Sequence, residues 1–341
     1  VQEIREKARE LMKGTCRVCP VCDGRACAGE VPGMGGVGTG NSFKANVKAL
    51  AAKTFVMRLV HQVSQPSSEV ELLGRKFALP VLAAPIGGVA LNMGGQVPEE
   101  VFVTAVLEGC AQQGTLGCSG DGAPPEVING ALAALSAVEG QGIPVIKPWG
   151  EEEFFAKVDQ VKAAGATMVG MDLDAAGLIT LALLGRPVGP KPVEELQKIA
   201  ERLRPLKFIL KGIMSPQDAL LAVEAGVDAI VVSNHGGRVL DFTPGTAEVL
   251  PEIAAAVKGK ITILADGGVR SGGDVLKMLA LGADAVLIGR PLAVAALGGG
   301  AEGVAKYLEQ IKGELLSAMV LTACPHPGAA GPHMLFSSAG P

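Results

Sequence analysis

Six consecutive residues, Ser233-Asn234-His235-Gly236-Gly237-Arg238, place a titratable imidazole and a planar cationic fork three positions apart. Histidine exchanges protons near neutral pH, and arginine grips a carboxylate or phosphate through paired N–H donors. The two glycines between them let the backbone bend and approach a ligand closely. A short apolar run, 229–232, precedes the motif, so a strand end delivers a base and an anion clamp into a loop. A histidine in a polar loop also has a plain structural explanation. Its neighbours must decide between the two.

The elements that would position this loop follow from the apolar pattern. Eight short, β-rich runs occur at 78–86, 114–119, 143–149, 167–172, 208–212, 229–233, 261–266 and 285–289. Helical patterns such as 98–112, 151–164, 193–203, 216–225, 246–257 and 272–281 fall between them. Such alternation predicts parallel strands joined by crossover helices. Ala164-Gly165-Ala166-Thr167-Met168, Ala225-Gly226-Val227-Asp228-Ala229 and Leu281-Gly282-Ala283-Asp284-Ala285 each close a helix with glycine and enter a strand. Glycine there suits a left-handed helix cap. Eight units within roughly 220 residues match a barrel, whereas a doubly wound sheet is usually complete with about five or six strands. The expected fold is therefore α/β, a (β/α)8 TIM barrel over 78–341 with a cysteine-containing N-terminal extension over 1–77. The segment 291–320 would supply the last helix.

In such a barrel the chemistry sits at the C-terminal ends of the strands. The fifth run ends in Leu210-Lys211-Gly212, where the lysine either snorkels to solvent or points into the mouth. The sixth ends in the His235 motif. The seventh ends in Asp266-Gly267-Gly268-Val269-Arg270-Ser271-Gly272 and the eighth in Gly289-Arg290-Pro291. Glycine turns that open helices after the last two strands are the fold's habitual phosphate site, and each here adds an arginine. A phosphorylated ligand would then lie over the mouth with Lys211 and His235 farther along it. Flavin mononucleotide suits that layout; a phosphorylated sugar also fits it.

Composition bounds the rest. A chain of 341 residues with 48% hydrophobic content can bury a large core. Its net charge of -4, with lysine and arginine scattered, argues against nucleic acid or an acidic membrane surface as a partner. No apolar run is long enough to span a bilayer, and Val1-Gln2-Glu3-Ile4-Arg5-Glu6 is not leader-like. A soluble, cytoplasmic protein is expected. Seven cysteines, an odd number, favour thiols or metal ligands over a disulfide scaffold. Cys16, Cys19, Cys22 and Cys27, with two, two and four residues between them, could clasp zinc or an iron–sulfur cluster. Redox-active, disulfide-linked or free structural thiols are the competing readings. The run Gly33-Met34-Gly35-Gly36-Val37-Gly38-Thr39-Gly40 could pass for a dinucleotide fingerprint, but no strand precedes it. It reads as a flexible connector over the barrel mouth.

Ser233-Asn234-His235-Gly236-Gly237-Arg238-Val239-Leu240-Asp241, Leu250-Pro251-Glu252-Ile253, Ala265-Asp266-Gly267-Gly268-Val269-Arg270 and Gly289-Arg290-Pro291 jointly resemble the signature of the FMN-dependent α-hydroxy acid dehydrogenase and oxidase family. The resemblance is strong over 207–292, traceable from about Leu73, and absent before it. It implies an FMN-dependent oxidoreductase acting on a 2-hydroxy acid or related carboxylate, with hydride transfer to flavin. His235 would be the base, Arg238 the substrate clamp, and Lys211 the cation beside the flavin. Arg270 and Arg290, with the backbone of Gly268 and Gly289, would hold the phosphate, while Ser233 and Asp266 would line the cofactor or orient its neighbours. Asp172 resembles the family's acidic residue near the histidine, and Gly87 would offer backbone contact to the flavin edge. The family's habit of forming tetramers implies a homo-oligomer.

This chain also departs from the family. The substrate-pocket tyrosines are missing, because its one tyrosine, Tyr307, falls in the last helix. Where the family has a glutamine and a tyrosine, the third run ends in Lys147-Pro148-Trp149, so Lys147 would face the flavin and Trp149 the substrate. A second substrate arginine is replaced by Asp174-Ala175-Ala176-Gly177-Leu178-Ile179. The electron-transfer half of the site is thus retained and the substrate half is more apolar than lactate requires. Two other readings remain: an FMN-dependent isomerase of the type 2 isopentenyl diphosphate kind, which lacks the His-Gly-Gly-Arg turn, and a non-catalytic flavin- or phosphosugar-binding barrel.

Overall fold

The computed structural model describes residues 2–336. A hairpin of β1 (Val70–Leu72) and β2 (Arg75–Phe77) leads into eight parallel strands: β3 (Val81–Ile86), β4 (Gly117–Ser119), β5 (Ile143–Ile146), β6 (Met168–Asp172), β7 (Lys207–Ile213), β8 (Ala229–Val232), β9 (Thr262–Ala265) and β10 (Ala285–Ile288). These close in the order β10-β3-β4-β5-β6-β7-β8-β9, so the (β/α)8 barrel is complete.

Strand parity explains both core and site. Leu82, Leu116, Cys118, Val145, Met168, Ile209, Val231, Leu264 and Leu287 form one apolar cluster with the hairpin residues Leu72 and Phe77. Their chain neighbours Val81, Ala83, Ile146, Val169, Leu210, Val232, Ala265 and Ile288 belong to a second, larger cluster with the helices. Because successive strand side chains alternate faces, the first set fills the barrel and the second packs outside it. Two residues beyond the inward Val145, Ile209, Val231 and Leu264 come Lys147, Lys211, Ser233 and Asp266. The same parity that fills the interior with leucine and valine therefore lifts the polar residues to its upper rim.

Local signals set the helices. Ser215 and Ser271 accept from Asp218 N and Asp274 N as N-caps, each worth about 1 kcal/mol. A helix at Pro125–Ala137 fills the connection between β4 and β5. The last helix runs Arg290–Leu321 and kinks at Gly300, where φ is 61°. The segment after β6 contains a 3₁₀ turn, Leu173–Gly177, and a short helix, Ile179–Leu183.

The N-terminal residues are woven into the barrel. Helix Gln2–Leu11 packs on the last helix, and helix Asn41–Ala51 packs on Thr246–Val257. The glycine run 33–40 is held rather than flexible: Val37 N donates to Gly237 O, and the carboxylate of Asp241 accepts from the N–H groups of Thr39 and Asn41. The expectation of a loose connector failed because Val37 N and the carbonyls of Gly33 and Gly35 find partners in the His-Gly-Gly-Arg turn. No helix among the described residues is long and apolar enough to cross a membrane.

Candidate active site

The turn after β8 holds His235, Gly236 and Gly237 in succession at positive φ, 57°, 62° and 79°. Glycine enters this region freely, and histidine does so more readily than most residues. Asn234 organises the bend. Its amide exchanges hydrogen bonds of 2.7 and 3.2 Å with buried Asn46 and accepts from Gly237 N at 3.1 Å. Ser233 supports it from below, accepting from His235 N at 3.1 Å and donating to Asp266 at 2.8 Å.

His235 faces a cluster of buried charge. Its Nδ1 lies 2.8 Å from an Asp174 oxygen, 3.3 Å from Lys211 Nζ and 3.5 Å from Asp172. The shortest contact decides the tautomer: Nδ1 donates to Asp174, and Nε2 is left without a partner among the described residues. Asp172 receives Lys147 Nζ at 2.5 Å and Lys211 Nζ at 2.9 Å. Burial opposes its ionisation, but Lys147, then Lys211 and His235, hold the carboxyl well below the usual range. Burial likewise opposes the charge on Lys211, and Asp172 and Asp174 raise its pKa nonetheless. Asp266 is pushed up by burial, which Lys211 and Ser233 only partly offset. Buried ion pairs repay their desolvation poorly. A cluster of them at a cavity floor is therefore better explained by chemistry than by stability.

The arginines are treated differently. Arg238 donates through Nη1 to Gly33 O and Gly35 O and through Nη2 to Asn92 at 3.0 Å, leaving two of its five donors. Arg290 donates to Met34 O, Gly236 O and Gly35 O and stacks 3.7 Å over the Phe43 ring. Arg270 bonds Val269 O and, at 3.4 Å, Cys22 O. Among the described residues none of the three meets a carboxylate within 4.0 Å. Burial and the neighbouring Arg290 push Arg238 down to about 9, and burial, reinforced by Arg270, takes Arg290 to about 10. Both stay cationic at neutral pH and lack a counter-charge.

A cavity of about 680 Å³ joins these groups, within the roughly 300–1,000 Å³ of ordinary ligand sites. Gly87, Lys147, Asp172, Lys211, His235, Arg238, Asp266, Gly268, Arg270, Gly289 and Arg290 all line it. Two expected residues do not. Ser233 is fully buried behind Asp266 and His235 and so orients rather than lines. Trp149 donates its indole N–H to Asp121 at 2.6 Å, and Lys157 and Arg186 cover its ring. The indole thus bonds a residue that lines the cavity without lining it itself. Conversely, Asp174 went unnoticed as a partner of His235, although the second acid of Asp172-Leu173-Asp174 was the available signal. The 3₁₀ turn folds it back toward the mouth.

The four N-terminal cysteines are free and half-buried, and no three of them come within 4.8 Å of one another. Among the described residues the one group that meets this spacing is Asp172, Asp174 and His235, already engaged by the two lysines.

Against known proteins, the model of the FMN-dependent dehydrogenase family matches residues 33–180 and 189–337. The chain belongs to the FMN-dependent dehydrogenase family. It is 32% identical over 340 residues to the 4-hydroxymandelate oxidase of Amycolatopsis orientalis, covering 87% of this chain and 90% of that one. It is 51% identical over 135 residues to a peroxisomal (S)-2-hydroxyacid oxidase of Arabidopsis thaliana, a match covering 40% of this chain and 36% of the relative's length. A solved mandelate oxidase variant with the C4a-OH-FMN adduct superposes with a TM-score of 0.78 at 30% identity, covering 99% of each chain.

The residues present fit the family's cofactor. Two buried polar atoms lack any partner among the described residues, Asp266 Oδ1 and Arg270 Nε, and both belong to residues that line the cavity. Arginines without a carboxylate partner among the described residues, beside the glycines at 267, 268 and 289, are the donor set that a phosphate requires.

Proposed function

We propose that the chain oxidises a 2-hydroxy acid to the corresponding 2-oxo acid. Bound FMN supplies the two-electron acceptor for the hydride equivalent. His235 takes the hydroxyl proton at Nε2, and Asp174 holds the ring in the competent tautomer and offsets the imidazolium that forms. Arg238 binds the carboxylate through its two remaining donors. Lys211 keeps a permanent positive charge at the cavity floor, suited to a cofactor that gains negative charge on reduction. Asp172 holds Lys211 and Lys147 in place. Arg270 and Arg290, with the backbone of Gly268 and Gly289, take the phosphate; Gly87 and Lys147 meet the ring. Leu91, Leu178, Leu181 and Leu184 line the remaining wall, which favours a substrate with an apolar 2-substituent.

The observation that carries this reading is the 2.8 Å pairing of His235 with Asp174 beside an arginine that still has free donors. Neither an isomerase nor an inert scaffold needs that base and clamp. Anaerobic mixing of the yellow protein with a panel of 2-hydroxy acids tests it. Bleaching is expected, and His235→Gln should keep its flavin while reduction slows by roughly 10²–10⁴-fold. Wild-type reduction rates in that variant would falsify the assignment. A cytoplasmic location rests on composition, and a homotetramer on the family resemblance. Exposed Met57, Leu59 and Val60 support an assembly whose subunit count light scattering measures.

A further inference from the structure

The loop that carries Cys16, Cys19, Cys22 and Cys27 plays no part in the proposed reaction, yet it is built with care. Arg5 donates to Cys19 O at 2.5 Å and Arg9 to Arg17 O at 3.2 Å, and Arg17 pairs with Glu30 at 2.6 and 2.7 Å. Between the first two cysteines, buried Val18 adopts φ 46° and its N–H points at Cys16 Sγ, 3.4 Å away. A β-branched residue in left-handed backbone is costly and persists where the surroundings demand it. The effect is a turn whose backbone N–H addresses a sulfur.

Arginines border the loop. Cys27 O accepts from Gly36 N at 3.2 Å, and Arg290 donates to the adjoining Gly35 O at 3.0 Å. Arg270 Nη2 comes 3.7 Å from Cys22 Sγ. Two of the arginines that lack a carboxylate partner thus face this loop on one side and line the cavity on the other.

We propose that Cys16, Cys19, Cys22 and Cys27 ligate a [4Fe–4S] cluster. Cys16, Cys19 and Cys22 have the C-x₂-C-x₂-C spacing of three ligands to one cubane, and Cys27, five positions farther in the same loop, is the next thiol in the sequence able to serve as the fourth. Geometry separates this from a single ion. Zinc at about 2.3 Å from each sulfur would bring any three of its tetrahedral ligands within about 4 Å of one another, closer than any three thiols here. A cubane places each ligand sulfur on a different iron and spreads the four more widely. Each thiol gives up its proton on ligation, and the anionic centre that results meets Arg270 and Arg290. The proposal does not depend on the hydroxy acid reading.

The test uses the full chain, purified without oxygen and reconstituted with ferrous iron and sulfide. About four iron and four acid-labile sulfide per chain are expected, with an electron paramagnetic resonance signal on dithionite reduction. Cys19→Ser and Cys22→Ser should each lose most of the iron and that signal, while Cys324→Ser, outside the loop, keeps both. Circular dichroism checks that the variants are folded; if they are not, the wild-type stoichiometry and spectrum decide alone. Zinc without sulfide, no bound metal, or iron retained in folded Cys19→Ser and Cys22→Ser overturns the proposal.

Discussion

The two sides of the barrel mouth handle positive charge in opposite ways. Lys147 and Lys211 are buried against Asp172, with Asp174 close to Lys211 as well. Arg238, Arg270 and Arg290 are held by backbone carbonyls, with Asn92 the one side-chain oxygen among their partners in the described residues. Carbonyls fix a guanidinium in place without neutralising it; carboxylates do both. The lysine side is thus a finished structure that holds a base, whereas the arginine side keeps a net charge for an anion to complete.

Removing charge from each side should therefore cost different things. Asp172→Asn strands the buried ammonium of Lys147 and leaves Lys211 only its longer contact with Asp174, and losing one member of a buried pair costs about 3–5 kcal/mol. Denaturant melts should register that loss in flavin-free protein. The pH dependence follows in sign. The folded carboxyl titrates below its ordinary value of about 3.9, so its contribution is present above that value and is lost as pH falls below it. Asp172→Asn should lack that part of the acid sensitivity.

On the other side, Arg270→Met should leave the melt closer to wild type than Asp172→Asn does, because Arg270 has an unpartnered Nε and few protein bonds. Its loss should appear in FMN titrations instead. A charged hydrogen bond of about 1.5–3 kcal/mol corresponds to roughly 10–150-fold weaker binding. Equal losses of stability in the two variants would erase the distinction between the sides. The smallest effect on ligand binding belongs to Trp149→Phe, which gives up one hydrogen bond to the Asp121 carboxylate, worth about 1.5–3 kcal/mol of stability. Because the ring lies outside the cavity, the apparent affinity for hydroxy acids should not move; a marked change in KM would return Trp149 to the substrate wall.

Much of this site was legible before folding. Alternation of apolar runs with helical patterns predicted the barrel, and residues at strand ends marked Lys211, His235, Asp266 and Arg290. Two-residue periodicity explains Lys211 and Asp266, each two positions past an inward-facing residue, Ile209 or Leu264, whereas the glycine turns marked His235 and Arg290. Side chains beyond the strand ends were less legible. Asp174 sits in a turn whose direction no periodicity sets, and Trp149 follows a strand end but is drawn off by Asp121, 28 positions earlier. Ser233 has the correct parity yet is covered by its neighbours. The glycine run was misread because its partners, Arg238 and Arg290, lie some 200 and 256 positions away.

The sequence by itself determined the (β/α)8 order, the family and the kinds of side chain that crown each strand, because these depend on local periodicity and short motifs. Tertiary structure alone decided which carboxylate pairs with His235, which arginines lack a counter-charge, and how the N-terminal segment packs against the mouth. Those outcomes depend on distances between segments far apart in the chain. Electrostatic pairing, whose energy varies inversely with separation, is set by such distances rather than by residue order.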